Sequence, residues 1–137
     1  MIPVDQEFLH LAVPGQQGDC FRACVASILE LPISDVPHFA QLTEGSSSAA
    51  FWNMAYDWLE SRGYEYVYRT RAGRDSLDKT DYQIMTGPSP RGNGTYHAVI
   101  GKGGIIVHDP HPSRAGLAGD PKEWYWASLV KADGEKT

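Results

Sequence analysis

At 137 residues the chain is long enough for one domain around one core. Hydrophobic residues make up 42% and charged residues 21%, an ordinary balance for a soluble domain. The net charge of -5, from 12 basic and 17 acidic residues, argues against a broad nucleic-acid footprint, which needs a basic face. Residues 1–13 carry Asp5 and Glu7 and lack the basic start and apolar block of a signal peptide. No apolar run approaches the roughly 20 residues of a membrane helix. The chain therefore reads as cytoplasmic, with no membrane contact and a reducing surrounding. Its two cysteines, Cys20 and Cys24, are four apart, so in a helix they lie on successive turns. A disulfide there would constrain little, and two free thiols are expected. Two cysteines are also too few for a structural zinc site, so neither metal nor cofactor is expected.

Residues 1–18 read as an irregular lead-in broken by Pro3, Pro14, Gly15 and Gly18. Asp19 then caps a helix over about 20–31, with Phe21, Val25, Ile28 and Leu29 at helical spacing, ended by Pro32. Residues 32–39 read as a loop or one short turn. A second helix is expected over 47–62, capped by serines, closed near Gly63, and apolar along Phe51, Met54, Ala55, Trp58 and Leu59. The period then changes to two. Strands are expected at 64–69, 82–85, 96–100, 105–108 and 124–130, with polar loops at 71–80, 87–94 and 109–121. Gly101, Lys102, Gly103 and Gly104 join the third and fourth strands as a hairpin. The charged tail from 131 is expected to fray. Helices first and an antiparallel sheet afterwards make the fold class α+β, in a single domain over 1–137.

Cys20 carries the first chemical signal. A cysteine in the first turn of a helix lies near the positive end of the helix dipole and beside unpaired backbone N–H groups. Both favour a thiolate. Cys24, one turn on, reads as buried packing. His97 lies on the third strand, and Asp109 directly follows the strand that pairs with it. A carboxylate at that strand end can reach the imidazole and fix its tautomer. Nucleophile, base and orienter together are the pattern of covalent catalysis. A metal reading of His97, His108, Asp109 and His111 is disfavoured, because His108 and Asp109 are adjacent and point to opposite faces. His111, Ser113 and Arg114 are expected on a loop at the cleft mouth, as substrate-binding candidates. Arg114 would pair with a substrate carboxylate or with a local acidic residue. Trp124 and Trp126 share a strand face, and one of them, assigned as Trp124, is expected to line the cleft.

Three segments, taken in order, resemble the papain-like cysteine peptidase superfamily. They are Gln16-Gln17-Gly18-Asp19-Cys20, His97-Ala98-Val99-Ile100 and His108-Asp109-Pro110. Within that superfamily the chain is most similar to the compact bacterial domains that process double-glycine leader peptides. The resemblance implies a papain-like fold, N-terminal helices packed on an antiparallel sheet. It implies Cys20 as nucleophile, His97 as base and acid, and Asp109 as orienter. It also implies a glutamine donor to the oxyanion. The superfamily usually carries that glutamine about six residues before the cysteine, where this chain has Pro14. Either Gln16 or Gln17 serves, or the oxyanion hole is built differently. The implied activity is a cysteine-dependent hydrolase of an amide, isopeptide or thioester bond, acting on a peptide or protein. The same residues would suit a thiol acyltransferase or deamidase, and a non-catalytic peptide-binding module is the remaining alternative.

Overall fold

The structure is a computed structural model that describes residues 1–10, 15–69, 81–92 and 94–131. Helix α1 (Cys20–Leu29) ends two residues short of expectation, because Glu30 adopts a left-handed conformation and closes it ahead of Pro32. Asp19 stands at its N-cap, but its carboxylate makes no capping bond. It accepts instead from the Phe8 N–H at 2.9 Å and pairs with Arg22 at 3.2 Å. Asp19 thus fastens the lead-in to the helix. That lead-in has no helix or strand among its described residues, yet it is tied along α1: Ile2 N–H donates to the Ser27 carbonyl and Val4 N–H to Ser27 Oγ. This covers a second side of α1. Ala23, Cys24, Ala26 and Ser27 are buried, while of the expected stripe Phe21 and Val25 are buried and Ile28 and Leu29 only partly so.

Residues 32–42 form a short 3-10 turn (Ile33–Asp35) and the one-turn helix α2 (Phe39–Leu42). Helix α3 (Ser48–Ser61) starts at Ser47, whose hydroxyl accepts from the Ala50 N–H. The sheet has five strands: β1 (Tyr64–Arg69), β2 (Tyr82–Pro88), β3 (Tyr96–Lys102), β4 (Ile105–His108) and β5 (Tyr125–Lys131). Their order is β1-β5-β2-β3-β4, and every pairing is antiparallel. The α+β class is as expected, and β1 has the expected bounds. β3 runs two residues longer, because the turn is only Gly103-Gly104. Both have positive φ, which a two-residue hairpin turn needs and glycine supplies without strain. Lys131, expected in the frayed tail, ends β5 opposite Tyr64. The expected loop over 71–80 and the tail beyond 131 lie outside the described residues.

Alternation across the strands builds two cores. Ile84, Ala98 and Ile100 face the helices and pack with Phe21, Val25, Phe39 and Leu59. Met85, Val99, Trp124 and Trp126 cover the opposite face. There the Trp124 indole donates to the Ala118 carbonyl at 2.8 Å and packs against Gly87. A Cβ at Gly87 would stand 2.6 Å from Trp124 Cδ1. Gly87→Ala is therefore expected to lower stability by about 1–3 kcal/mol, read as a lower urea midpoint. An unchanged midpoint would show that the ring can move aside. Among the described residues no helix is long and apolar enough to cross a membrane.

Candidate active site

Helix α1 packs against β3, and this brings the first residue of the helix to the start of that strand. The β3–β4 hairpin is antiparallel, so the start of β3 and the end of β4 lie at one end of the sheet. The structure thereby gathers Cys20, His97 and Asp109. His97 Nε2 donates to Asp109 Oδ1 at 2.7 Å, with the two residues only 4% and 5% exposed. Cys20 acts on the same imidazole, raising its pKa, and borders the same cleft as His97. With Nε2 committed to Asp109, the Nδ1 side is left for the thiol.

The Asp109 carboxylate is held from three directions. Besides the ring, the His111 N–H donates to Oδ1 at 2.9 Å and the Gly116 N–H to Oδ2 at 2.7 Å. Burial alone would raise its pKa, but these donors outweigh burial and bring it to about 2. Burial likewise opposes charge on His97. The bonds to Asp109 and Cys20 prevail and lift its pKa to about 9. The ring is therefore an imidazolium at neutral pH, a ready counter-ion for a thiolate. Cys24 is fully buried, and burial pushes its thiol well up, so it stays protonated and inert.

Cys20 and His97 border a cleft of about 1020 Å³. Helices, strands and lead-in all contribute to it. Phe21, Phe51, Trp52, Tyr68 and Tyr125 make much of its wall, and Gln6 and His111 stand on its border. His111 is the substrate-binding candidate that the structure does bring to the cleft, its ring edge-on to His97 at 6.1 Å between centroids. Burial and then the Arg91 charge lower its pKa. The other three are elsewhere. Ser113 Oγ accepts from Arg91 at 3.1 Å. Arg114 grips Asp5 with two bonds of 2.6 and 2.8 Å, so its partner is the local acid. Trp124 belongs to the opposite face of the sheet, and it is the intervening Tyr125 that borders the cleft, as strand alternation requires. His108 turns away and donates to the Val4 carbonyl. Among the described residues no group of three or more His, Cys, Asp and Glu is arranged for a metal.

Of the two glutamine candidates, Gln17 borders the cleft and Gln16 does not. Gln16 spends its amide nitrogen on the Leu9 carbonyl, and Gln17, though it borders the cleft, directs its own to Glu44. The lead-in also brings Gln6 to the cleft border. Gln6 N–H donates to the Pro110 carbonyl at 3.1 Å, one residue beyond Asp109. Its amide nitrogen uses one hydrogen on the Phe8 carbonyl at 2.7 Å and has a second to offer, while its Oε1 is buried without a partner. No spacing rule singles out Gln6, because its place depends on a contact with residues about a hundred positions away.

No family model, curated protein or solved structure matches this chain.

Proposed function

We propose that this chain is a papain-like thiol hydrolase that opens an amide, isopeptide or thioester bond of a peptide or protein through a Cys20 thioester. The observation that carries the reading is the buried His97–Asp109 bond of 2.7 Å, with the Cys20 thiol on the same imidazole at the cleft wall. A helix bearing the nucleophile, packed on an antiparallel sheet that bears base and orienter, supports the papain-like fold.

The chemistry follows from these groups. His97 as imidazolium pairs with the Cys20 thiolate. The thiolate attacks the substrate carbonyl carbon, and the C=O electron pair moves onto oxygen. The Cys20 backbone N–H, which no side-chain cap occupies, and the second hydrogen of the Gln6 amide are the donors for that oxyanion. One such donor is worth about 3 kcal/mol. Collapse expels the amine or thiol, which takes its proton from His97. Neutral His97 then draws a proton from water, and the water oxygen attacks the thioester. The acid leaves, and thiolate and imidazolium are restored. An amine in place of water would make the same centre an acyltransferase.

The test is iodoacetamide labelling as a function of pH, wild type against Cys20→Ser. A thiolate–imidazolium pair labels rapidly well below the ordinary thiol range. Gln6→Ala probes the oxyanion donor. Hydrolysis of a p-nitrophenyl ester is expected to slow by about 100–1,000-fold. Alkylation, which forms no oxyanion, should change less than about twofold. Equal loss of both rates would make Gln6 a packing residue.

A further inference from the structure

We propose that Arg114 is a positioning residue, whose guanidinium bridges the Asp5 carboxylate and the Asp109 backbone carbonyl and so holds the Gln6 segment and the base-orienting loop in one register. This rests on the thiol-hydrolase reading above. Nη1 and Nη2 each donate to one Asp5 oxygen, and Nη1 also donates to the Asp109 carbonyl. Asp5 immediately precedes Gln6. Asp109 begins the loop whose His111 and Gly116 N–H groups grip its own carboxylate. Two further bonds join the same segments, Gln6 N–H to the Pro110 carbonyl and His108 Nε2 to the Val4 carbonyl. Among the described residues, Arg114 is the charged link between them that also touches the orienter's backbone.

The backbone adds a second indication. Arg114 has φ 53°, a left-handed conformation that an arginine rarely adopts, and it lies inside the loop that wraps the Asp109 carboxylate. Something must hold that loop against its local preference, and the guanidinium clamp does. The Arg114 side chain is 51% exposed and the Asp5 side chain 50%, so as a stabilising ion pair it is worth little. A purely structural role therefore predicts almost nothing on its removal, whereas a positioning role predicts a change at His97.

The groups that face His97 are few. Asp109 reaches it from the end of β4, Cys20 from α1 and the His111 ring from the loop, with Arg91 acting on His111. Arg114 acts only through Asp109. The experiment is the pH profile of Cys20 alkylation by iodoacetamide in Arg114→Asn, Arg114→Lys and Asp5→Asn. Asparagine tolerates the left-handed backbone, so Arg114→Asn removes the clamp without adding strain. Its half-maximal pH should rise by about one unit, with the rate at about pH 6 falling about tenfold. Arg114→Lys should recover part of the shift, and Asp5→Asn should reproduce part of it. Arg62→Ala, an exposed arginine off the cleft, should leave the profile in place. A folded Arg114→Asn whose profile overlays the wild type overturns the proposal, whatever its melting temperature. If Arg114→Asn does not fold, Asp5→Asn decides in the same way. Failure of the underlying reading is separate: the wild type itself would then label only in the ordinary thiol range.

Discussion

Cys20→Ser is expected to abolish iodoacetamide labelling at about pH 6 and to slow ester hydrolysis by at least about a thousandfold. Serine keeps the volume and the helix start, so folding should survive. What it loses is the proposed thiol nucleophile. The experiment is clean because the only other thiol is inert. Cys24 is 0% exposed, and burial raises its thiol well above the ordinary range. Native wild type should therefore take one label per chain, and the variant none. Undiminished labelling of the variant would place the reactive thiol elsewhere and remove the basis for the mechanism.

The second large effect is the dependence of stability on pH, and its loss in Asp109→Asn. His97 has a pKa of about 9 in the folded chain against an ordinary 6.5. Its contribution is fully present below 6.5 and disappears as pH rises through 9. Asp109 shifts the other way, to about 2 from 3.8, so its contribution is present above 3.8 and disappears as pH falls through 2. The two shifts describe one bond and are counted once. Both groups are buried, so solvent screens the bond little. Because a Cys20 thiolate in the folded wild type would offset the His97 proton, the measurement is made in a Cys20→Ser background: stability there should be highest between about pH 4 and 6.5 and fall by about 1–2 kcal/mol between about pH 6 and 8.5, as urea unfolding would show. In Asp109→Asn the amide NH2 must face either the His97 ring N–H or the Gly116 N–H, and a donor meets a donor. The variant should begin lower by about 1–3 kcal/mol and lose most of its slope over that range. An Asp109→Asn curve parallel to that of the Cys20→Ser parent would mean that Asp109 does not set the charge of His97.

Arg114 shows how far local reading of residues reaches. Its chemistry was legible, and so was the choice between a substrate carboxylate and a local acid. The choice itself turned on Asp5, which only the folding of the lead-in across the sheet end brings near. Asp19 behaves similarly. Its position before an apolar helical run marks a cap, yet the docked Phe8 N–H and the Arg22 guanidinium take its oxygens. The Trp124 assignment failed for a simpler reason. Trp124 and Trp126 were correctly paired on one face, but alternation does not say which face of a sheet meets the helices. That was decided by where α1 and α3 pack, and Tyr125 went to the cleft instead.

The sequence by itself determined the α+β class, the helix and strand positions to within a few residues, the β3–β4 hairpin and the order of Cys20, His97 and Asp109. These follow from near-neighbour physics: side-chain period, capping and glycine in tight turns. Tertiary structure alone decided the 2.7 Å bond that joins His97 to Asp109, the docking of the Gln6 backbone on Pro110, and the clamp of Arg114 on Asp5. Each of these joins segments that pack together only when the lead-in, α1 and the sheet assemble, and such contacts leave no period or spacing to read.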